Sequence, residues 1–326
     1  MKCAVILGVS GQDGTFLAKL LLEKNYQVIG VSRNMRTNSF HNHDRLNISD
    51  KIERVSVSIY DFRNIIELIN NIKPDEIYNL SGQSSVALSF SEPFETFESI
   101  SIATLNLLEA IRILKLPVKL FNAGSGDCFG NIDGLSASEK TAFRPRSPYG
   151  VAKSAASMQI ANYREAYGIF ACTGILFNHE SYLRPEQFVT RKIVKTACRI
   201  AQGACNELVL GNISIERDWG WAPEYVTAMW MMLQKEKPDD YIIATGTTMS
   251  LQDFITTIFA RLDLDWKKYV KTDSRFIRPT DIQAICTNPE KAEKELGWKA
   301  RYHGHDVAEM MVDAELEFMG GYSPGR

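Results

Sequence analysis

The stretch CAVILGVSGQDGTFLAKLLLEKNYQVIGVSR, residues 3–33, decides the fold. Its first part, 3–9, is an unbroken apolar run, the pattern of a strand buried on both faces. Gly8, Gly11 and Gly14 follow in G-x-x-G-x-x-G spacing. A helical stretch, 15–25, then sets Phe16, Leu17, Leu20, Leu21 and Leu22 along one broad apolar face. A second apolar strand, 27–33, completes a βαβ unit. Glycines between a strand and a helix let the backbone approach a pyrophosphate, and the helix N-terminus offers free N–H donors and positive potential.

Outward from that unit the alternation continues. Strands are predicted at 52–59, 76–81, 118–125 and 170–178, and helices at 62–72, 104–114 and 148–168, the first of these three helices ending at Lys73-Pro74. Repeated βα units with continuous apolar strands predict an α/β fold: a Rossmann-type doubly wound parallel sheet. After residue 179 the texture changes to short strands, helices and turns such as ELVLGN, RDWGW and RFIRPTD. This predicts a dinucleotide-binding domain over 1–178, with some later segments returning to it, and a smaller mixed α/β substrate lobe over 179–326. The run LQDFITTIFARL, 251–262, reads as a helix near the main body.

The chain has 326 residues, 45% of them hydrophobic, enough for one large α/β domain or two lobes. A net charge of −2 gives no basic face for nucleic acid or an anionic membrane. No apolar run approaches the ~20 residues of a membrane span, and the short N-terminal run leads straight into the glycine turn, so no secretory leader is expected. The six cysteines are scattered without a C-x-x-C pair, which points to reduced thiols and a cytoplasmic location. The pairs His41/His43 and His303/His305 lack a carboxylate or Cys partner at metal spacing. They are expected at the surface, with no metal site.

The second strand ends in Ser32-Arg33 rather than in an acid. A carboxylate there would bond a ribose 2′-hydroxyl, whereas Arg33, with Arg36 close by, favours a 2′-phosphate and hence NADP. Asp61 could accept from an adenine amino group or cap the helix at 62–72, and the two roles are compatible. Tyr149 and Lys153 are one helical turn apart, behind Pro148. The lysine would lower the phenol's pKa and bond a nicotinamide ribose, leaving the phenol as base for a sugar hydroxyl. Ser125, at a strand's C-terminal end, could donate to the same oxygen. Asp127, two residues on, is either a base for a carbon acidified by a neighbouring ketone or a turn residue bonding its own backbone.

With these residues in place, the chain resembles the extended short-chain dehydrogenase/reductase superfamily and, within it, the GDP-mannose 4,6-dehydratase family. The likeness covers nearly the whole chain. GVSGQDGTFLAKLLLEKNYQVIGVSR resembles the family's cofactor segment, KPDEIYNLSGQSSVALSF its fourth-strand segment, and PRSPYGVAK, GILFNHES, FVTRKI, RDWG and RPTDI its later runs. The resemblance implies C4 oxidation by NADP with Tyr149 taking the 4-hydroxyl proton, C5 deprotonation, loss of water and hydride return to C6. It places Gln12, Asp13 and Leu80 with the cofactor. It places Ser85, Asn178, Glu180, Val189, Lys192, Arg217, Arg278 and Asp281 with a GDP-sugar: GDP-mannose or a related hexose or heptose. It implies a homodimer or homotetramer, with the polar segment 34–44 bridging subunits.

Some positions depart from the family. Its Ser-Thr-Ser-Glu-Leu-Tyr-Gly run is Gly124-Ser125-Gly126-Asp127-Cys128-Phe129-Gly130 here, so Ser125 stands for Thr and the shorter Asp127 for Glu. Ser85 and Trp221 stand where the family commonly has His. Two other activities fit the same motifs: a GDP-sugar 4-reductase or epimerase needing only Tyr149 and Lys153, and a non-catalytic NADP- and GDP-binding scaffold.

Overall fold

The computed structural model describes residues 1–34, 40–132, 134, 136–276, 280 and 282–320. The first half runs β1 (Cys3–Leu7), α1 (Gln12–Glu23), β2 (Gln27–Ser32), α2 (His41–Arg45), β3 (Glu53–Ser56), α3 (Phe62–Ile72), β4 (Glu76–Asn79), α4 (Val86–Ser91), α5 (Pro93–Phe97), α6 (Ala103–Leu114), β5 (Lys119–Ala123), β6 (Ser136–Ala137), α7 (Pro148–Tyr167) and β7 (Ala171–Leu176). The second half runs β8 (Asn178–Glu180), α8 (Val189–Ala201), β9 (Leu208–Leu210), β10 (Glu216–Trp221), α9 (Ala222–Gln234), β11 (Tyr241–Ile243), β12 (Thr248–Ser250), α10 (Leu251–Arg261), β13 (Val270–Thr272), β14 (Cys286–Thr287) and α11 (Gly304–Phe318).

Seven strands form one sheet in the order β11-β7-β5-β4-β1-β2-β3, every pairing parallel. Each strand needs apolar cover on both faces, and β1 shows how it is met. Ala4 and Ile6 pack into the core beneath α1 and α9, while Val5 and Leu7 pack into the core beneath α3 and α6. The chain order reverses between β1 and β4, and that reversal opens a crevice at their C-terminal ends. Helix ends are set locally. Asp61 caps α3 by accepting from Arg63 N–H at 2.9 Å, and Lys73 closes it in the left-handed region at φ 50°. Ser147 caps α7, Pro148 sits in its first turn, and Gly168 ends it at φ 65°.

The second half splits between the two bodies. α9 packs against α1, and β11 extends the large sheet beside β7. The short sheet β12-β10-β8 and helices α8, α10 and α11 enclose a separate core around Trp219, Phe254, Phe259 and Met311. Helix α10 therefore belongs to this second core and not to the main body. Its apolar face, Leu251, Phe254, Ile255 and Ile258, finds α8 and α11. The histidines also differ from expectation. His41 and His305 are exposed, but His43 is fully buried behind the glycine turn, where Nε2 donates to Val9 O at 2.9 Å. No described helix is long and apolar enough to cross a membrane.

Candidate active site

The crevice between β1 and β4 forces close backbone approach. Gly8 sits at φ 84°, and a Cβ there would stand 2.6 Å from Leu80 O. A Cβ on Gly14 would stand 2.3 Å from Gly8 O, so α1 can begin this close to the turn only with glycine. Gly8, Gly11, Gln12, Asp13, Gly14, Arg33 and Leu80 line one cavity together. It abuts a second, larger cleft, with Asp13, Leu80, Ser81, Gly82, Ser84, Arg184 and Phe188 common to both.

That second cleft, of about 380 Å3, has the size of a small-molecule site. Ser125, Asp127, Tyr149 and Lys153 all line it. β5 delivers Ser125 at its C-terminal end, and the short turn Gly126–Cys128 brings Asp127 around. α7 presents Tyr149 and Lys153 on its inner face, both buried. Ser125 Oγ accepts the Asp127 backbone N–H at 3.2 Å and lies 3.4 Å from Asp127 Oδ2.

The charges here reverse one expectation. Lys153 Nζ donates to Ala123 O at 2.7 Å and lies 5.8 Å from the Tyr149 ring centroid. Burial pushes the Tyr149 phenol well above the usual tyrosine value, the Asp127 carboxylate pushes it further, and the nearby Ser125 hydroxyl opposes both. Burial pulls the Lys153 ammonium down to about 8. The resting phenol is thus protonated, a donor toward a sugar oxygen, with a carboxylate nearby that resists its ionisation.

Six of the residues assigned to a nucleotide sugar, Ser85, Asn178, Glu180, Val189, Lys192 and Arg217, line the same cleft. Ser85 caps α4 by accepting from Leu88 N–H. Val189 is the first residue of α8, Lys192 Nζ donates to Val209 O at 2.7 Å, and Arg217 Nη1 donates to Glu216 O at 2.7 Å. Glu180 is turned inward, accepting from Thr190 Oγ1 at 2.8 Å and pairing with Arg184. Arg278 and Asp281 lie outside the described residues, as do Arg36 and the centre of the 34–44 segment, residues 35–39. Asp61 is absent from both linings: its carboxylate caps α3. Among the described residues no cluster of three or more His, Cys, Asp or Glu could hold a metal ion.

The structure adds two residues that sequence reading gave no role. His179 Nε2 donates to Asp13 Oδ2 at 2.8 Å and Nδ1 donates to Phe177 O at 2.7 Å. Both ring nitrogens face acceptors, so the imidazolium satisfies both. Burial opposes the charge, but Asp13 outweighs it and holds the His179 pKa above its ordinary value. Gln12 joins this link, donating to His179 O at 3.1 Å and accepting from Ser181 Oγ at 2.7 Å. α1 and β8 are thereby tied across the cleft. Arg184 lines both cavities with its guanidinium 3.7 Å from the Phe188 ring centroid. His179 lies inside the distinctive GILFNHES run, a signal that was available. Arg184 sits in a turn whose sequence carries none.

Residues 5–311 match the family model described as GDP-mannose 4,6 dehydratase. The chain is 43% identical over 328 residues to GDP-mannose 4,6 dehydratase 1 of Arabidopsis thaliana, spanning 97% of this chain and 90% of that one. The fold superposes on a dTDP-glucose 4,6-dehydratase from Bacillus anthracis, solved with NAD, at TM-score 0.83 and 19% identity, covering 98% of each chain. RMD from Pseudomonas aeruginosa, solved with NADPH, gives TM-score 0.80 at 19% identity, covering 96% of this chain and 98% of that one.

Proposed function

The chain belongs to the GDP-mannose 4,6-dehydratase family and is a GDP-sugar 4,6-dehydratase, a carbon–oxygen lyase; from that premise we propose that NADP is its cofactor and that Tyr149, Lys153, Ser125 and Asp127 carry the reaction. The shared lining of one cleft supports this assignment: those four side chains stand together with Asn178, Val189, Lys192 and Arg217. A dinucleotide fits the adjoining cavity because Gly8 and Gly14 leave its floor free of Cβ atoms. Neighbouring folds were solved with NAD and with NADPH, and Arg33 in that cavity favours the phosphorylated form.

Bound there, the nicotinamide supplies hydride acceptance from C4 and hydride return to C6. In its ionised form Tyr149 would take the proton of the sugar's 4-hydroxyl as hydride leaves C4, Ser125 would donate to the same sugar oxygen, and Lys153 would hold the nicotinamide ribose. Once C4 is a ketone, C5–H is acidic; Asp127 would remove that proton and return it to the C6 hydroxyl, which leaves as water. Lys192 and Arg217 offer cations to the diphosphate. The sugar is GDP-mannose or a related hexose or heptose, since Ser85, Gly126 and Asp127 are small where the sugar lies. On this reading residues 1–178 serve the dinucleotide and 179–326 the nucleotide sugar.

A second copy of the chain is the natural partner. Leu88, Phe94 and Ile102 on one side and Val151 and Met158 on α7 are all exposed apolar side chains on packed neighbouring elements. This supports a homodimer, or a tetramer built from it. Six unpaired cysteines fit a cytoplasmic location. The test is incubation of pure protein and NADP with GDP-mannose and nearby GDP-sugars, followed by mass spectrometry. Loss of water is expected. Product of unchanged mass, or none from any GDP-hexose or GDP-heptose, overturns the assignment.

A further inference from the structure

Arg33 is already engaged by two neighbours. Its Nη1 donates to Tyr60 Oη at 2.8 Å and to Glu95 Oε1 at 2.7 Å, and Tyr60 Oη donates to the same carboxylate oxygen at 2.5 Å. The three groups come from the end of β2, the segment leading into α3, and α5. Arg33 and Tyr60 line the cavity floored by Gly8, Gly11 and Gly14; Glu95, about one-third exposed, bonds both of them and is not itself among the lining residues. Burial and the Glu95 hydrogen bond push the Tyr60 phenol up to about 12. Tyr60 thus remains a donor throughout neutral pH.

We propose that Glu95 tempers this enzyme's preference for NADP: its carboxylate engages the guanidinium that a ribose 2′-phosphate would use, and so narrows the margin of NADP over NAD. This rests on the reading of Arg33 as the 2′-phosphate residue. A 2′-phosphate carries nearly two negative charges. On reaching Arg33 it meets a carboxylate bonded to the same Nη1, and the guanidinium's attraction is offset by that second anion. The remaining guanidinium N–H groups still offer bonds, so NADP binds, but at a site whose Arg–Glu charge is near zero. A plain ribose hydroxyl brings no charge and meets no such cost. Glu95 is 62 residues from Arg33, and nothing in the sequence links the two.

The experiment measures dissociation constants for NADP and NAD on the whole chain, by calorimetry or fluorescence titration, for the natural protein, Glu95→Gln and Arg33→Met. Glu95→Gln keeps an oxygen acceptor for Tyr60 and Arg33 and removes only the charge. It should tighten NADP roughly three- to fivefold, the upper scale of one partly exposed charge pair, and leave NAD nearly unchanged. The gain should shrink in high salt. Unchanged NADP affinity in Glu95→Gln, or an equal loss for both dinucleotides, overturns the proposal. If Arg33→Met weakens NADP while Glu95→Gln is silent, only the role of Glu95 is lost. If Arg33→Met leaves NADP binding untouched, the reading of Arg33 fails as well.

Discussion

Asp127 and Ser125 are joined twice: the Asp127 backbone N–H donates to Ser125 Oγ at 3.2 Å, and the Asp127 carboxylate lies 3.4 Å from that same oxygen. Ser125, not the Asp127 carboxylate, satisfies the turn's backbone. Of the two roles open to Asp127 from sequence, a self-bonding turn residue and a base, this arrangement leaves its carboxylate out of the turn's backbone bonding. It also fixes the carboxylate near enough to Tyr149 to oppose ionisation of the phenol.

Replacing Asp127 by Asn should therefore act on two steps in opposite senses. Loss of water should fall by about 10²–10⁴-fold, the usual worth of a general base. Oxidation at C4 should persist, and its rise with pH should move to lower pH, because the anion that raises the Tyr149 pKa is gone. Washing deuterium into C5 and following reduced cofactor would separate the steps. Dehydration at the natural rate in Asp127→Asn would show that another group is the base.

Lys153 predicts a stability signature. Its pKa is about 8 in the fold against 10.5 for an ordinary lysine, so between those values the unfolded chain binds more protons and stability rises with pH. Below about pH 8 the full cost of the buried charge is present, roughly 3 kcal/mol at ~1.4 kcal/mol per unit. Lys153→Met should be the more stable protein in urea at pH 7, and the gap should close toward pH 10.5. A gap that stays constant with pH would contradict the depressed pKa.

How much of this could be read in the chain depends on the range of each interaction. The strands of the large sheet were legible because burial on both faces writes a continuous apolar run, as in 3–9. Tyr149 and Lys153 were legible because one helical turn fixes their relation. The Asp61 cap was legible as a local bond. Helix α10 was legible as a helix, but an amphipathic pattern says that a face is buried and not against what, so its partner core was misplaced. His43 looked like a surface residue because its acceptor, Val9 O, lies 34 residues away. The Asp13–His179 pair spans 166 residues and could come only from the folded structure.

That pair makes the third prediction. His179 is raised above its ordinary 6.5, so its share of stability is whole below about pH 6.5 and is lost as pH rises through the folded value. Asp13 is lowered despite burial, chiefly by His179, so its share is whole above about pH 4 and is lost as pH falls through its folded value. The difference in thermal midpoint between the natural protein and His179→Gln should be greatest between those limits. It should shrink on the alkaline side in step with the imidazole titration seen by NMR. A difference independent of pH would mean that His179 serves by shape alone.

Helix α7 carries the last prediction because its two faces have separate tasks. At ~100° per residue, Tyr149 and Lys153 fall on one side, and Val151 and Met158 fall about 180° away. The inner pair is buried, whereas Val151 is 41% and Met158 59% exposed. Phe94 on α5, which packs beside α7, is 86% exposed. Burying these side chains against a second copy would remove from water the apolar area that a lone chain leaves bare. Light scattering at micromolar concentration should give a dimer or tetramer for the natural protein and a monomer for Met158→Glu combined with Phe94→Asp. Dinucleotide binding should survive in that monomer, because neither substitution touches the inner face of α7. A natural protein that is already monomeric would remove the interface, and a doubly substituted protein that stays dimeric would move it elsewhere.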